Sequence, residues 1–275
     1  MTRLLAPLVL LFTLLLPLGA AHAETRALII GSDYSSTPDA KLRLANPVAD
    51  ARMVRAALAR TSVRDVTLLE DPDAEQWAAG FQQFADSLSG DDIALLYYAG
   101  HGFQIDGSNY LLSGDGVSLI SLDSLLRTLT ERARGVVVVV DACRNNPFFE
   151  AEEDAQMRVV AVEGDTRSLQ SVTLDDLAYA RNGLAQLANL RGLSAVVFFS
   201  TEPGNVAEDG DTPGKGSPFA KVFTREIKRR QSLDETFRKT AVGVNSATDG
   251  RQSPWRQGDL PFNVFIAGMR ALPIP

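Results

Sequence analysis

Beyond residue 23 the chain holds one cysteine, Cys143, and one histidine, His101. Each follows a strongly apolar run: Gly135-Val136-Val137-Val138-Val139-Val140 precedes the cysteine, and Ile93-Ala94-Leu95-Leu96-Tyr97-Tyr98 precedes the histidine. A thiol and an imidazole together can act as nucleophile and base, because the thiolate attacks and the imidazole carries its proton. Open α/β sheets place their chemistry in the crevice beyond the carboxyl ends of the strands. Both residues are therefore expected just past strand ends, where such a sheet holds its site. Gly100 and Gly102 flank the histidine and let the backbone approach a ligand closely. Asp141 precedes Cys143 by two residues, so in an extended chain the two side chains share a face and line one pocket. No other thiol or imidazole can replace either residue.

The elements that must position these groups can be read from periodicity and punctuation. Strands are predicted at 26–31, 66–69, 92–98, 135–140 and 195–200, with a last one near 262–266. Helices are predicted at 47–60, opened by Asn46-Pro47 with proline at the favoured first position, and at 73–88, 121–131, 218–230 and 232–245. Phe103-Gln104-Ile105 and Tyr110-Leu111-Leu112 read as a hairpin around the turn residues 106–109. Strands alternating with helices predict an α/β fold with a mostly parallel sheet covered on both faces. From 148 to 173 the periodicity is lost, and 173–190 is at most partly helical. A long irregular stretch inside a domain is usually functional or mobile.

Residues 1–23 read as a secretion signal. Arg3 supplies the charge, Leu4 to Leu18 the apolar core, and Ala21-His22-Ala23 a small-residue cleavage site. The apolar run is broken by Pro7, Thr13 and Pro17 and falls short of the roughly 20 residues that span a bilayer. Cleavage after Ala23 is expected over retention as an inner-membrane anchor. The mature chain would then be periplasmic or secreted, with no stable membrane association. Residues 24–275 are long enough for one domain with a well-buried core. Within it, 26–148 carries the histidine and cysteine, 149–192 is an irregular linker, and 193–267 forms a second half. The full chain has a formal charge of −7, and loss of Arg3 adds one negative unit. The one dense basic run, Lys228-Arg229-Arg230, reads as a solvated helix end, which leaves nucleic acid little electrostatic footing. A single cysteine forms no internal disulfide, and in an oxidising compartment a spare thiol is a liability unless it is buried or reactive.

Tyr97-Tyr98-Ala99-Gly100-His101-Gly102 and Asp141-Ala142-Cys143-Arg144-Asn145 resemble the histidine and cysteine motifs of the caspase-like cysteine peptidases, the bacterial metacaspase-type members above all. The two residues lie 42 positions apart, near the roughly 50 expected for caspases. The likeness continues through the first strand, Asn46-Pro47-x-x-Asp50-Ala51, the fifth strand and Ser217-Pro218-Phe219, and so covers most of 26–267. It implies the caspase-hemoglobinase fold, with a mostly parallel six-stranded sheet and helices on both faces. It also implies cysteine endopeptidase chemistry. Cys143 would be the nucleophile, and His101 the general base and then acid. The N–H groups of Gly102 and Cys143 would hold the oxyanion, a contribution worth about 3–4 kcal/mol per donor elsewhere.

By the same resemblance, cleavage follows Arg or Lys, with Asp50 and Asp141 as the carboxylates that bind this side chain. A guanidinium meets carboxylates through paired charge-assisted hydrogen bonds. Caspases proper hold a substrate Asp with basic residues. Arg43 is the candidate here, making an Asp-directed peptidase the enzymatic alternative. A non-catalytic protein- or peptide-binding module is the alternative of another class, and cysteine-dependent acyl transfer a third. The likeness departs at Asp33, where bacterial relatives usually carry Asn, and in 148–192, which is longer and more acidic than a minimal linker. Arg158, Arg167, Arg181 and Arg191 in that segment are candidate self-cleavage sites. The chain has no G-x-S-x-G elbow, P-loop or dinucleotide fingerprint. One His and one Cys make a zinc site improbable, so no metal residues are assigned and no cofactor is required. Calcium activation is possible through the acidic loops 150–154 or 208–211, although no ordered ligand spacing marks them. Protein or peptide substrates are the expected partners.

Overall fold

Strands that are apolar at every position need cover on both faces, and helices on each side of one sheet meet that need. The computed structural model describes residues 24–105, 108–143, 157–160, 169–172, 190 and 192–267. In chain order its elements are β1 (Thr25–Gly31), α1 (Pro47–Leu58), β2 (Asp65–Glu70), α2 (Ala74–Ser87), β3 (Ile93–Ile105), β4 (Ser108–Leu112), β5 (Ser118–Ser121), α3 (Leu122–Thr130), β6 (Gly135–Cys143), β7 (Met157–Val160), β8 (Leu169–Val172), β9 (Ala195–Phe199), α4 (Pro218–Glu226), α5 (Leu233–Ala247) and β10 (Trp255–Asp259). The main sheet runs β2-β1-β3-β6-β9-β10, parallel throughout except for β10, which is antiparallel to β9. This is the mostly parallel six-stranded sheet expected from the alternation of elements.

Side-chain alternation along the strands divides the core in two. Ile29, Tyr97, Val139 and Phe198 turn to the side of α1, α4 and α5, where Phe219 and Phe223 meet them. Ile30, Tyr98, Val138 and Phe199 turn to the side of α2 and α3, against Trp77, Phe81 and Leu125. Helix starts are set by side-chain caps, each of which satisfies a backbone N–H that has no partner within the helix. Asp73 and Gln76 form a reciprocal capping box on α2, and Ser121, Ser217 and Ser232 cap α3, α4 and α5. Asn46 makes no such bond. Asp33 instead reaches across, its Oδ1 accepting from Val48 N at 2.7 Å. The carboxylate that departs from the bacterial pattern thus sits at the positive end of α1.

Three expectations need correction. The last strand lies at Trp255–Asp259, not near 262–266. Phe262, Val264 and Ile266 alternate like a strand, but they pack as an irregular strap on the α1, α4 and α5 side, tied by Leu233 N to Val264 O and Ser62 N to Ile266 O. The true edge strand is too polar and half-exposed to announce itself. The stretch 148–173, read as irregular, contains β7 and β8, which extend a second sheet β3-β4-β5-β7-β8. β5 is only four residues long and escaped periodicity. The 103–112 hairpin is present, with Ile105 opposite Ser108, so Ser108 and Asn109 belong to a strand rather than to the turn. Residues 1–23, read as a secretion signal, and all but Leu190 of the 173–190 stretch lie outside the described residues. No described helix is long and apolar enough to cross a membrane.

Candidate active site

Strand register brings the histidine and cysteine together. β3 and β6 are parallel with His101 opposite Cys143, and adjacent strands lie about 4.8 Å apart. Both residues belong to the strands themselves, not to the loops beyond them. The pairing of the two strands continues three residues past their apolar runs, joining Ala99 with Asp141, Gly100 with Ala142 and His101 with Cys143. His101 is the last residue of β3 paired with β6, and Gly102 the first paired with β4, opposite Leu111. The strand changes partner at the site. Such a divergence opens a crevice at the carboxyl end of a parallel sheet.

The imidazole is buried, with 5% of the residue exposed. Its Nε2 lies 2.9 Å from the carbonyl oxygen of Leu42. A carbonyl only accepts, so Nε2 carries the proton and Nδ1 holds the lone pair. Among the described residues Nδ1 has no hydrogen-bond partner. Burial pushes the imidazole down to about 4, against the smaller opposite effect of the Leu42 carbonyl. At neutral pH it is therefore a neutral base with one nitrogen uncommitted among the described residues. Gly100 adopts φ +154°, and a Cβ there would lie 2.6 Å from Tyr98 Oη and 2.7 Å from Tyr34 Oη. Only glycine leaves room for those two hydroxyls beneath the histidine.

The two carboxylates meet through one serine. Asp50 Oδ1 accepts from Ser217 N at 2.8 Å. Asp141 Oδ2 accepts from Ser217 Oγ at 2.8 Å and from the Tyr97 hydroxyl at 3.2 Å. Ser217 Oγ also accepts from Ala220 N as the cap of α4. Both carboxyls are held well above the ordinary carboxylate range, by burial first. The charge of Asp141 adds to the shift on Asp50, and that of Asp209 acts on both. Hydrogen bonds from Ser217 oppose it. No described residue forms an ion pair with either carboxylate.

The loop over this pair is fastened to the start of α1. Asn46 Nδ2 donates to Asp209 O at 2.6 Å, Gly216 N donates to Asn46 Oδ1 at 2.9 Å, and Ala45 N donates to Asp209 Oδ2 at 2.6 Å. Gly216, at φ +82°, lies so close to Asp50 that a Cβ would come within 2.8 Å of Oδ1.

A family model for the caspase domain of peptidase family C14 matches residues 24–265. The chain belongs to the caspase-domain family. Its fold is similar to the crystal structure of caspase-1 from Spodoptera frugiperda, at 16% identity and a TM-score of 0.60, over 91% of this chain and 92% of that one. It is also similar to a protein from Geobacter sulfurreducens, at 16% identity and a TM-score of 0.59, over 90% of this chain and 98% of that one. A solved structure of pro-sf-caspase-1 matches at 14% identity and a TM-score of 0.59, over 90% of this chain and 92% of that one. No curated protein matches the chain significantly in sequence. A domain of this peptidase type takes protein substrates.

Among the described residues of this caspase domain the remaining candidates have other partners. Arg43 is exposed, and its guanidinium bonds to the Thr37 carbonyl at 3.3 Å in its own loop. In the 208–211 loop, Glu208 pairs with Arg251 and Asp209 is occupied by backbone amides. Among the described residues no cluster of His, Cys, Asp and Glu is arranged to hold a metal. Arg158 lies within β7, paired with Ser118 and Ser171. Arg167, Arg181, Arg191 and the 150–154 loop lie outside the described residues. Sequence reasoning missed Ser217 as the link between the carboxylates, Asp209 as a third charge beside them, and the Leu42 carbonyl. Ser217-Pro218 carried a helix-start signal, but nothing local in the chain announces that its hydroxyl spans to Asp141.

Proposed function

We propose that the protein is an exported cysteine endopeptidase that cleaves after Arg or Lys. His101 Nδ1 takes the thiol proton of Cys143 as the sulfur attacks the substrate carbonyl. The N–H groups of Gly102 and Cys143 hold the oxyanion. The proton then passes from Nδ1 to the leaving amine, which completes acylation. A water deprotonated by the same nitrogen releases the new carboxylate and restores the thiol. Throughout, the Leu42 carbonyl keeps the proton on Nε2, so Nδ1 is always the nitrogen in play.

The observation that carries the substrate assignment is the buried pair Asp50 and Asp141, joined by Ser217 and with no ion-pair partner among the described residues. Burying an unpaired carboxylate costs several kcal/mol, which a substrate guanidinium or ammonium in the same pocket offsets. An Asp side chain would add a like charge instead, and Arg43 points its charge elsewhere. Export rests on residues 1–23.

The test is hydrolysis of peptides with a fluorescent leaving group and Arg, Lys or Asp before it, with and without calcium. Wild type should release the fluorophore from the Arg and Lys peptides, and Cys143→Ala and His101→Ala should not. Equal inactivity of all three would favour a peptide-binding module. Preference for the Asp peptide would overturn the carboxylate assignment. Cell fractionation tests export, with cytoplasmic retention as the contrary result.

A further inference from the structure

We infer that Tyr34 is a positioning residue for His101, stacking on the imidazole face and gripping the histidine backbone through its hydroxyl; this assignment rests on His101 being the base. Tyr34 lies in the loop after β1 and is fully buried. Its ring is stacked on the imidazole, with centroids 4.8 Å apart and planes 24° apart. The Tyr34 hydroxyl oxygen accepts from His101 N at 2.7 Å and stands 3.0 Å from Tyr98 Oη. Tyr98 in turn has the carbonyl oxygens of His101 and Leu112 each at 2.8 Å. Each phenol has one proton to give. His101 N–H donates to Tyr34, whose own proton goes to Tyr98 or to the Leu112 carbonyl at 3.3 Å, and Tyr98 donates to a carbonyl. The two phenols hold the histidine peptide at both its N–H and its C=O. With Nε2 on Leu42 O, the ring plane, the backbone and one nitrogen are all fixed, and Nδ1 alone is uncommitted among the described residues.

The conformation of Tyr34 argues that this contact is specific rather than filler. Its φ is +58°, a left-handed conformation that costs a bulky L-residue roughly 1–2 kcal/mol. Asp71 holds the turn by accepting from Tyr34 N at 2.8 Å, Ser35 N at 3.3 Å and Ser35 Oγ at 2.6 Å. Asp71 is itself left-handed at φ +44°. An apolar side chain filling a core gap needs no such turn, whereas strained residues persist where the geometry they impose is used. Gly100 supplies the complementary space. Phe103 adds a tilted ring contact to the imidazole at 6.4 Å. Among the described titratable groups the Tyr34 phenol stacks on the imidazole, with Asp71 and Asp115 acting on Tyr34, and Cys143 lies opposite His101 in backbone register.

The experiment uses the full chain with His22→Gln, which leaves His101 as the sole imidazole, so its C2–H proton resonance titrates alone. Peptide hydrolysis and this titration are measured for wild type, Tyr34→Leu and Tyr34→Phe. Tyr34→Leu should lower kcat about 100-fold, the scale of a 1 Å misplacement, with KM within about twofold. It should also move the His101 midpoint from about 4 toward the ordinary 6.5 or so. Tyr34→Phe keeps the stack and should restore the low midpoint, with kcat down by no more than about tenfold for the lost hydrogen bond. A merely structural role would lower stability and leave the midpoint and kcat where they are, and that result overturns the inference. If Tyr34→Leu does not fold, unchanged kcat and unchanged His101 amide exchange in Tyr34→Phe overturn it equally. If the starting protein hydrolyses no peptide, the endopeptidase reading fails, and the titration still decides the role of Tyr34.

Discussion

Replacing Asp50 by Asn should weaken the enzyme and strengthen the fold at once. Asp50 is 2% exposed, accepts one backbone hydrogen bond from Ser217, and faces the like charges of Asp141 and Asp209. Burial and repulsion raise its proton affinity in the folded state above that in the unfolded chain. Between the ordinary carboxylate range near 4 and the raised native value, the native state binds more protons than the unfolded one, so its stability declines as pH rises. Each tenfold difference in proton affinity is worth about 1.4 kcal/mol. An amide removes that penalty and still offers an oxygen to Ser217 N. After allowance for an imperfect hydrogen-bond match, a gain of about 1–3 kcal/mol at pH 8 is expected, roughly 2–10 °C in Tm for a domain of this size. The gain should shrink toward pH 4, where the native carboxyl is protonated and the unfolded one is about half protonated. If Asp50 binds the substrate cation as proposed, the same variant should remove one half of a buried charge-assisted contact to an Arg peptide, about 2–5 kcal/mol. That corresponds to a fall in kcat/KM of about 30-fold or more. Calorimetry from pH 4 to 8 and steady-state hydrolysis read both effects. A variant that is less stable at every pH, with kcat/KM unchanged, would refute the reasoning and make Asp50 a structural carboxylate.

Other outcomes follow from single contacts. The imidazole of His101 resists protonation in the folded state, so its contribution to stability is complete above pH 6.5 and is lost as pH falls toward 4. The loss should be about 3 kcal/mol. Urea unfolding of wild type against His101→Gln should show the gap closing over that range, and parallel curves would contradict it. Gly100→Ala places a methyl against the Tyr34 and Tyr98 hydroxyls at a glycine φ. It should abolish hydrolysis and lower the urea midpoint, and a variant with wild-type kcat would show that the close approach is dispensable. Asn46→Ala deletes the two side-chain bonds of Asn46 to the 209–216 loop and leaves the one from Ala45 N. It should cost about 1–3 kcal/mol and speed amide exchange at Gly216, and unchanged exchange at that amide would place the anchor elsewhere.

The parallel sheet and its two covered faces were legible in the chain because buried strands must be apolar at every position, as 93–98, 135–140 and 195–199 are. Helix starts were legible for an equally local reason, since Asp73, Ser121, Ser217 and Ser232 bond within three residues of themselves. β10 was not, because an edge strand paired on one side needs no apolar run, while the strap at 262–266 alternates without pairing. The lone His and lone Cys could be named from position alone. Their adjacency is a matter of register between β3 and β6, and register depends on the whole sheet.

By itself, then, the sequence determined which residues can do chemistry and on which strands they ride, because hydrophobic pattern and capping act over a few residues. Only the tertiary structure decided what surrounds them. Ser217 reaches 76 positions back to Asp141, and Tyr34 reaches 67 forward to His101. The Leu42 carbonyl selects the free nitrogen of the imidazole from 59 positions away. Contacts across such spans leave no periodicity in the chain, since they exist only once the sheet brings distant loops to the same strand ends.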